Sequence, residues 1–215
     1  MTAHVPRTDL PDPLPTGPAI PRGRLVLVRH GETEWSRTGQ HTGRTDLPLL
    51  PEGEEAAVKL SDTLAGMTFV HVRSSPLQRA RRTAELAGLV VDELDPDLME
   101  WDYGGYEGLT TIDIRQQLGY HWTVFEHGVI PGETPGETVE EVSARGSRVL
   151  ERIWPMLFDG DVCLVAHGHS LRILAAVYLR QAARFAAYLT FEVGSVAVLG
   201  HHHETPVIEG WNRRH

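Results

Sequence analysis

Residues 25–28, Leu-Val-Leu-Val, form an unbroken apolar run without polar alternation, too short for a helix. That pattern predicts a strand covered on both faces. A helix is predicted over 51–65, where Pro51 suits a first turn, Glu52, Glu54 and Glu55 follow it, and Ala56, Ala57, Leu60 and Leu64 make one apolar stripe. The run at 69–72 predicts a second strand, and Ser74, Ser75 and Pro76 then open a helix reaching Ala87. A third strand is expected over 89–94. Residues 110–130 mix aromatic and apolar side chains without a clean period, which predicts short helices capping one end of a sheet. A long helix follows over 138–158, with Val142, Val149, Ile153 and Leu157 among its core positions, then a strand over 161–166. The spacing of Leu171, Leu174, Ala175 and Tyr178 predicts a helix after it, and 190–199 with 206–210 read as a closing hairpin. Strand-like runs alternating with helical ones predict an α/β fold with a largely parallel sheet.

Residues 1–23 depart from this pattern. They hold Pro6, Pro11, Pro13, Pro15, Pro18 and Pro21 with little apolar periodicity, which predicts a disordered, proline-rich leader before a single folded domain over 24–215. The leader lacks the apolar core of a signal peptide, and its prolines interrupt any amphipathic transit helix. The 215 residues, 41% of them apolar, suffice for one sizeable core. A net charge of −9, with no basic run and no long apolar stretch, argues against nucleic-acid and membrane partners. An anionic substrate then needs a local positive pocket. Cys163 is the one cysteine and cannot form an internal disulfide, in keeping with a reducing, cytoplasmic compartment, and its apolar neighbours predict a buried strand thiol.

Ligands of open α/β sheets bind beyond the carboxyl ends of the strands. There the sequence offers Arg29 and His30 after the first strand, Arg79 in the helix after the second, Glu100 after the third and His167 after the fourth. Helical crossovers bring such ends to one edge of the sheet, so these residues are expected to meet in one crevice. Arginine forks suit phosphate oxygens, a neutral imidazole is a nucleophile, and a carboxylate moves protons, a set suited to phosphoryl transfer. His30 has to be neutral to attack, so a backbone carbonyl is expected on its other ring nitrogen. A cationic His167, and the backbone N–H groups of Gly168 and His169 at a helix start, are expected to add positive charge.

Four segments resemble, in order and spacing, the motifs of the histidine phosphatase superfamily, which includes the phosphoglycerate mutases and many acid phosphatases. RHGETEW (29–35) resembles the nucleophile motif, SSPLQRARRTAE (74–85) the second arginine motif, EWDYGGYEG (100–108) the acid–base motif and AHGH (166–169) the second histidine motif. The resemblance implies a phosphoglycerate mutase-like, three-layer sandwich with helices on both faces of the sheet. It implies that His30 becomes phosphohistidine, that Arg29, Arg79 and His167 clamp the phosphoryl group, and that Glu100 protonates the departing alkoxide and then activates water. It also implies that Ser36, Thr42 and Gly43 line the phosphate subsite and that Tyr103 shapes the substrate pocket. The implied scheme uses no metal and no cofactor; the implied partner is a small phosphorylated metabolite, and homodimers occur in related proteins. Two departures stand out: Ser36 occupies a position where many members have asparagine, and Leu50 one where a threonine or serine would cap the first helix.

Other residues leave alternatives open. Trp35, Trp101, Tyr106, Trp122 and Phe125 either wall a pocket or fill the core. His201, His202 and His203 are expected in a solvated turn, because consecutive strand residues alternate between faces and make a poor metal cluster. Arg81 and Arg82 are expected at the surface. Hydrolysis of small phosphomonoesters, with an acidic pH preference, is the expected activity. A mutase-type isomerase has to hold a bisphosphate and shelter the phosphohistidine, yet between residues 107 and 137 the chain has one arginine, Arg115, and no lysine. A phospho-ligand binder without turnover would not need the full set of two histidines, two arginines and an acid.

Overall fold

The computed structural model describes residues 20–214. The leader expected over 1–23 lies outside the described residues as far as position 19. Pro21 and Gly23 are buried, and the Gly23 N–H donates to the Leu157 carbonyl at 2.8 Å. Among the described residues no helix is long and apolar enough to cross a membrane.

Strands β1 (Leu25–Arg29), β2 (Phe69–Ser74), β3 (Glu93–Leu94), β4 (Asp161–Ala166), β5 (Val196–His202) and β6 (Thr205–Arg213) form one sheet in the order β3-β2-β4-β1-β5-β6. The first four strands in that order pair in parallel, and β5 and β6 extend the sheet beyond β1 by antiparallel pairing. Successive side chains of a strand face opposite ways. Leu25 and Leu27 of β1 therefore enter one core, with Val149 and Ile153 of α6 (Val139–Ile153) and Leu171 and Leu174 of α7 (Gly168–Tyr178). Val26 and Val28 enter the other, with Leu60 of α2 (Pro51–Thr63) and Ala80 and Ala84 of α3 (Gln78–Leu86). Both faces are covered, which is why the run at 25–28 carries no polar residue. The result is the three-layer α/β sandwich.

A third core caps the carboxyl end of the sheet. Trp101, Tyr103, Tyr106, Trp122 and Phe125 pack there against Ile173 and Ala176 of α7, with the short helices α4 (Thr111–Leu118) and α5 (Val124–His127) around them. The question left open for the aromatics closes in favour of packing for Trp101, Tyr106, Trp122 and Phe125. Trp35 is half-buried, its ring against Gly108.

Four elements differ from expectation; the closing hairpin, expected over 190–199 and 206–210, lies at Val196–His202 and Thr205–Arg213. The helix expected to reach residue 158 stops at Ile153 and tightens into a 3₁₀ turn, Pro155–Phe158, because Pro155 has no N–H to donate and its ring crowds the carbonyl four residues back. The third strand shrinks to Glu93–Leu94, an exposed edge. A helix that the apolar pattern does not show, α1 (Glu34–Thr38), follows β1; it is closed by a Thr33–Ser36 capping box and by Gly39 at φ 78°, and it buries no residue. Helix α2 starts at Pro51 without a side-chain cap from Leu50, as its sequence requires.

Candidate active site

The floor of the site begins where β1 ends. The His30 N–H donates to the Ala166 carbonyl at 3.0 Å and the His30 carbonyl accepts from Gly194 at 2.9 Å, which fixes this residue between β4 and the approach to β5. Its buried ring places Nδ1 2.7 Å from the Gly31 carbonyl. A carbonyl only accepts, so Nδ1 carries the proton and Nε2 keeps its lone pair. Burial, reinforced by the Arg79 and Arg29 charges, pushes the His30 pKa well below the ordinary histidine value. The turn itself hangs on α3: the Gly31 N–H donates to Thr83 Oγ1 at 2.9 Å, and that hydroxyl donates to the Arg79 carbonyl at 2.7 Å. Any Cβ on Gly31 would come within 2.5 Å of the Gly53 carbonyl oxygen, so this close approach of α2 requires glycine.

His167 follows β4, and its ring centroid lies 5.1 Å from that of His30. Arg79 Nε donates to His167 Nδ1 at 3.1 Å, which leaves Nε2 to carry the proton toward Ser75 Oγ at 2.7 Å. Burial and the neighbouring cations hold the His167 pKa well below normal. The expected cationic His167 is thus corrected to a neutral one, because a guanidinium N–H already occupies the site of a second ring proton. The remaining Arg79 donors reach the carbonyls of Thr45 (2.8 Å), Thr42 (3.1 Å) and Gly43 (3.0 Å), tying the 42–45 loop under the site. Gly43 gives its N–H to both oxygens of Glu107, at 2.9 and 3.0 Å.

Arg29 donates from Nη1 to the Phe191 carbonyl, and its Nε is buried without a partner among the described residues. Its guanidinium lies on Gly168, where an added Cβ would sit 3.0 Å from Cζ. Glu100 meets the start of α7: Oε1 accepts from the backbone of Trp101 (2.8 Å) and Ser170 (2.9 Å), and Oε2 from His169 (3.0 Å). The His169 N–H, expected to face the phosphoryl group, instead holds the acid. A second net pins this segment from outside. Trp101 donates its indole N–H to the Glu137 carbonyl at 2.7 Å, and Glu137 binds Arg145, which donates in turn to the carbonyls of Asp97 and Met99.

The outer wall is aromatic and imidazole-rich. The Tyr103 hydroxyl lies 2.5 Å from His169 Nδ1; burial pushes the phenol pKa up, so the hydroxyl donates and the ring nitrogen accepts. His41 lies 4.7 Å from the Tyr103 ring and edge-on to Trp122, and burial pushes its pKa down to about 4.

A pocket of about 270 Å³ opens between floor and wall. Arg29, His30, Ser36, Thr42, Glu100, Tyr103, Gly168 and His169 line it, as do Gln40, His41, Thr111, Arg172 and Phe191. Arg79, His167 and Gly43 do not; they lie behind it, and Arg79 and His167 are inaccessible to solvent. Ser36 Oγ accepts from the Thr33 N–H at 2.8 Å while lining the pocket, so it also closes the α1 cap. His41 and Arg172 were not singled out from the sequence. His41 opens the same HTG triplet as Thr42 and Gly43, and Arg172 stands one helical turn after Gly168, the spacing that puts two residues on one helix face. Arg81 is exposed, and Arg82 is a surface residue paired with Glu54 and Glu85. His201 is no part of a solvated turn: it lies in β5, 3.2 Å from the Tyr178 hydroxyl and edge-on to Trp154, and only His202 and His203 are exposed. No group of three or more metal-ligating side chains occurs among the described residues.

Comparison with known proteins agrees with this architecture. The family model of the histidine phosphatase superfamily (branch 1) matches residues 25–214. An acid phosphatase of Mycobacterium tuberculosis is 36% identical over 183 residues, covering 84% of this chain and 87% of that protein. A sedoheptulose 1,7-bisphosphatase of Saccharomyces cerevisiae is 35% identical over 185 residues, 72% of this chain and 67% of that one. A solved structure of an open-reading-frame product of Mycobacterium tuberculosis superposes with a TM-score of 0.85 at 33% identity, covering 90% of this chain and 98% of that one. With nearly the whole described chain matched and both histidines at the carboxyl edge of the sheet, the protein belongs to the histidine phosphatase superfamily.

Proposed function

We propose that the protein is a phosphatase that hydrolyses small phosphomonoesters through a phosphohistidine at His30. The observation that carries this reading is the Nδ1–H bond of His30 to the Gly31 carbonyl, which leaves a neutral ring with its Nε2 lone pair at a pocket shared with Arg29 and Glu100. In the first step Nε2 attacks phosphorus, the ester P–O bond breaks, and Glu100 in its acid form delivers a proton to the alkoxide. In the second, water attacks the phosphoryl group, Glu100 takes the water proton, and the P–N bond breaks. Arg29 lines the pocket and donates only one hydrogen bond among the described residues, from Nη1 to the Phe191 carbonyl, so its guanidinium is the cation placed to meet a phosphoryl oxygen. Arg79 supplies charge and, with the neutral His167, order from behind the ring; direct contact with the phosphoryl group would require them to exchange their bonds to the 42–45 loop and to Ser75.

An acid preference is compatible with this scheme, because the depressed His30 pKa keeps the nucleophile neutral below the usual histidine range. Hydrolysis is favoured over a mutase reaction by the fate of Arg115. The one arginine of the cap donates to the Trp122 carbonyl at 2.9 Å and meets His121, away from the pocket. The test is phosphate release from p-nitrophenyl phosphate in EDTA by wild type and His30→Ala. Release by the wild type alone is expected. Conversion of 3- to 2-phosphoglycerate with little phosphate release would favour the mutase, and silence in both assays from pH 4 to 8 would leave a binder.

A further inference from the structure

Glu100 stands on backbone that belongs to no helix and no strand: the 3₁₀ turn Pro96–Leu98 ends before it, and residues 99–102 carry no regular element. The peptide groups of such a segment have no helix turn or sheet ladder to pair with, so its position depends on the side chains that reach it. One pair reaches it from both sides. Arg145, in the second turn of α6, donates from Nη1 to the carbonyls of Asp97 (2.8 Å) and Met99 (2.5 Å), ahead of Glu100. Glu137, just before the α6 cap at Thr138, accepts the Asp102 N–H on Oε2 at 2.9 Å, behind Glu100. Its backbone takes the Trp101 indole N–H at 2.7 Å and gives an N–H to the Asp102 carbonyl at 2.9 Å. Arg145 and Glu137 bind each other, Nε to Oε1 at 2.9 Å and Nη2 to Oε2 at 3.2 Å, so the two halves form one clamp. The Glu100 carboxylate meanwhile accepts from the start of α7. Helix α6 thus sets the backbone of the acid and α7 its oxygens. The two helices meet at Gly146, next to Arg145, where an added Cβ would lie 3.7 Å from Leu174 Cα.

A buried ion pair is a poor way to gain stability, since well-packed apolar side chains of the same volume often match it. Arg145 is buried and Glu137 mostly so. What apolar side chains cannot do is fix the Asp97 and Met99 carbonyls and the Asp102 N–H with the directionality of hydrogen bonds. Arg44 ties the clamp to the other half of the site: its Nη2 lies 3.5 Å from Glu137 Oε2, and it follows Gly43 in the loop bonded to Arg79. Proton transfer needs the carboxyl group within hydrogen-bond reach of the ester oxygen, and a misplacement of about 1 Å costs about 10²-fold in rate. We infer that the Arg145–Glu137 ion pair positions the acid–base group: it holds residues 97–102 so that Glu100 meets the leaving-group oxygen of a phosphate ester at His30. Neither residue lines the pocket, so each acts through Glu100 and not on the substrate. The inference rests on the phosphatase reading for the role of Glu100 itself.

The leaving group separates positioning from stability. A p-nitrophenolate departs with little help, whereas an alkoxide needs the Glu100 proton, and kcat/KM reads the steps up to that departure. Full-length wild type, Arg145→Met, Glu137→Gln and, as reference, Glu100→Gln are assayed on p-nitrophenyl phosphate and on glycerol 2-phosphate. Glu100→Gln gives the signature of a missing acid, a rise in the aryl-to-alkyl ratio of kcat/KM. Arg145→Met is expected to raise that ratio at least tenfold over wild type, and Glu137→Gln, which keeps its backbone bonds and one side-chain oxygen, at least threefold. Arg145→Met strands the Glu137 carboxylate. Should it fail to fold, the double variant Arg145→Met with Glu137→Leu strands no charge and is expected to show the same tenfold rise. An unchanged ratio, whether both activities fall together or stability alone falls, overturns the inference and leaves hydrolysis untouched. A wild type that hydrolyses the aryl ester alone has no working acid to position; that result also overturns the inference while leaving the phosphohistidine at His30 in place. A wild type that hydrolyses neither ester sinks the phosphatase reading and the inference with it.

Discussion

The floor and the outer wall of the pocket handle polar groups in opposite ways. On the floor, Arg79 spends its donors on three carbonyls and on His167, His167 spends both ring nitrogens on Arg79 and Ser75, and Glu100 accepts three N–H groups. On the wall, Arg172 is charged without a counterion, and His41 has one long contact to Thr111, 3.4 Å. The bonds of Arg79, His167 and Glu100 fix the geometry of the floor, which suits a step whose geometry is always the same. On the proposed reading, the difference teaches that the strand ends serve the reaction and the α7 face with the cap serves its selectivity.

The comparison breaks first at Glu100. Glu100→Gln removes the proton carrier but keeps an oxygen for the backbone donors, so turnover is expected to fall about 10²-fold or more while inorganic phosphate still binds. Steady-state kinetics with calorimetry checks this, and an unchanged rate would move the acid elsewhere. Arg79→Met strikes the saturated floor itself. Carbonyls at 42, 43 and 45 and His167 Nδ1 lose their donor, and the expected cost is about 3 kcal/mol of stability together with a similar drop in activity. Arg79→Lys should restore little, because one ammonium cannot span the positions of the fork. Denaturant unfolding of both variants is the measurement.

A smaller effect comes from the buried imidazoles. The folded-state pKa of His41 lies near 4, below the unfolded value near 6.5, so the unfolded chain binds more protons between those limits. The stabilisation is complete above pH 6.5 and is lost as pH falls toward 4. His30, His167 and His169 shift in the same direction. For His41, unfolding free energy is expected to drop by at most about 1.4 kcal/mol per pH unit in this window. His41→Asn should remove one share of that slope, and a slope unchanged from wild type between pH 7 and 5 would contradict the burial argument. The smallest effect lies far from either surface: Leu50→Asp supplies the missing side-chain cap of α2 and should raise stability by about 1 kcal/mol, or about 2–4 °C in melting temperature.

The same division decides what the sequence could tell. Arg29, His30 and His167 of the floor were legible because they follow strands that announce themselves: Leu25–Val28 is apolar on both faces, and the run at 161–166 repeats the pattern. Parallel topology then brings Arg29, His30, Glu100 and His167 together without any knowledge of side-chain contacts. The protonation of His167 was not legible, since it depends on an Arg79 N–H contributed from 88 residues away. Helix α1 escaped because an element that buries nothing leaves no apolar period, and Pro155 was overridden by a stripe that continues past it. Arg172 escaped for another reason. Its partners, Phe125 and the 183–188 turn, come from segments with no clear periodicity, so the orientation of its guanidinium follows from packing alone.

The central claim is that His30 carries the phosphoryl group. Rapid acid-free quenching of the enzyme with ³²P-labelled substrate, followed by peptide mapping, tests it directly. The account predicts an alkali-stable, acid-labile phosphate on the peptide containing His30, absent in His30→Ala. Steady hydrolysis with no labelled enzyme, or with the label on any other residue, would contradict it.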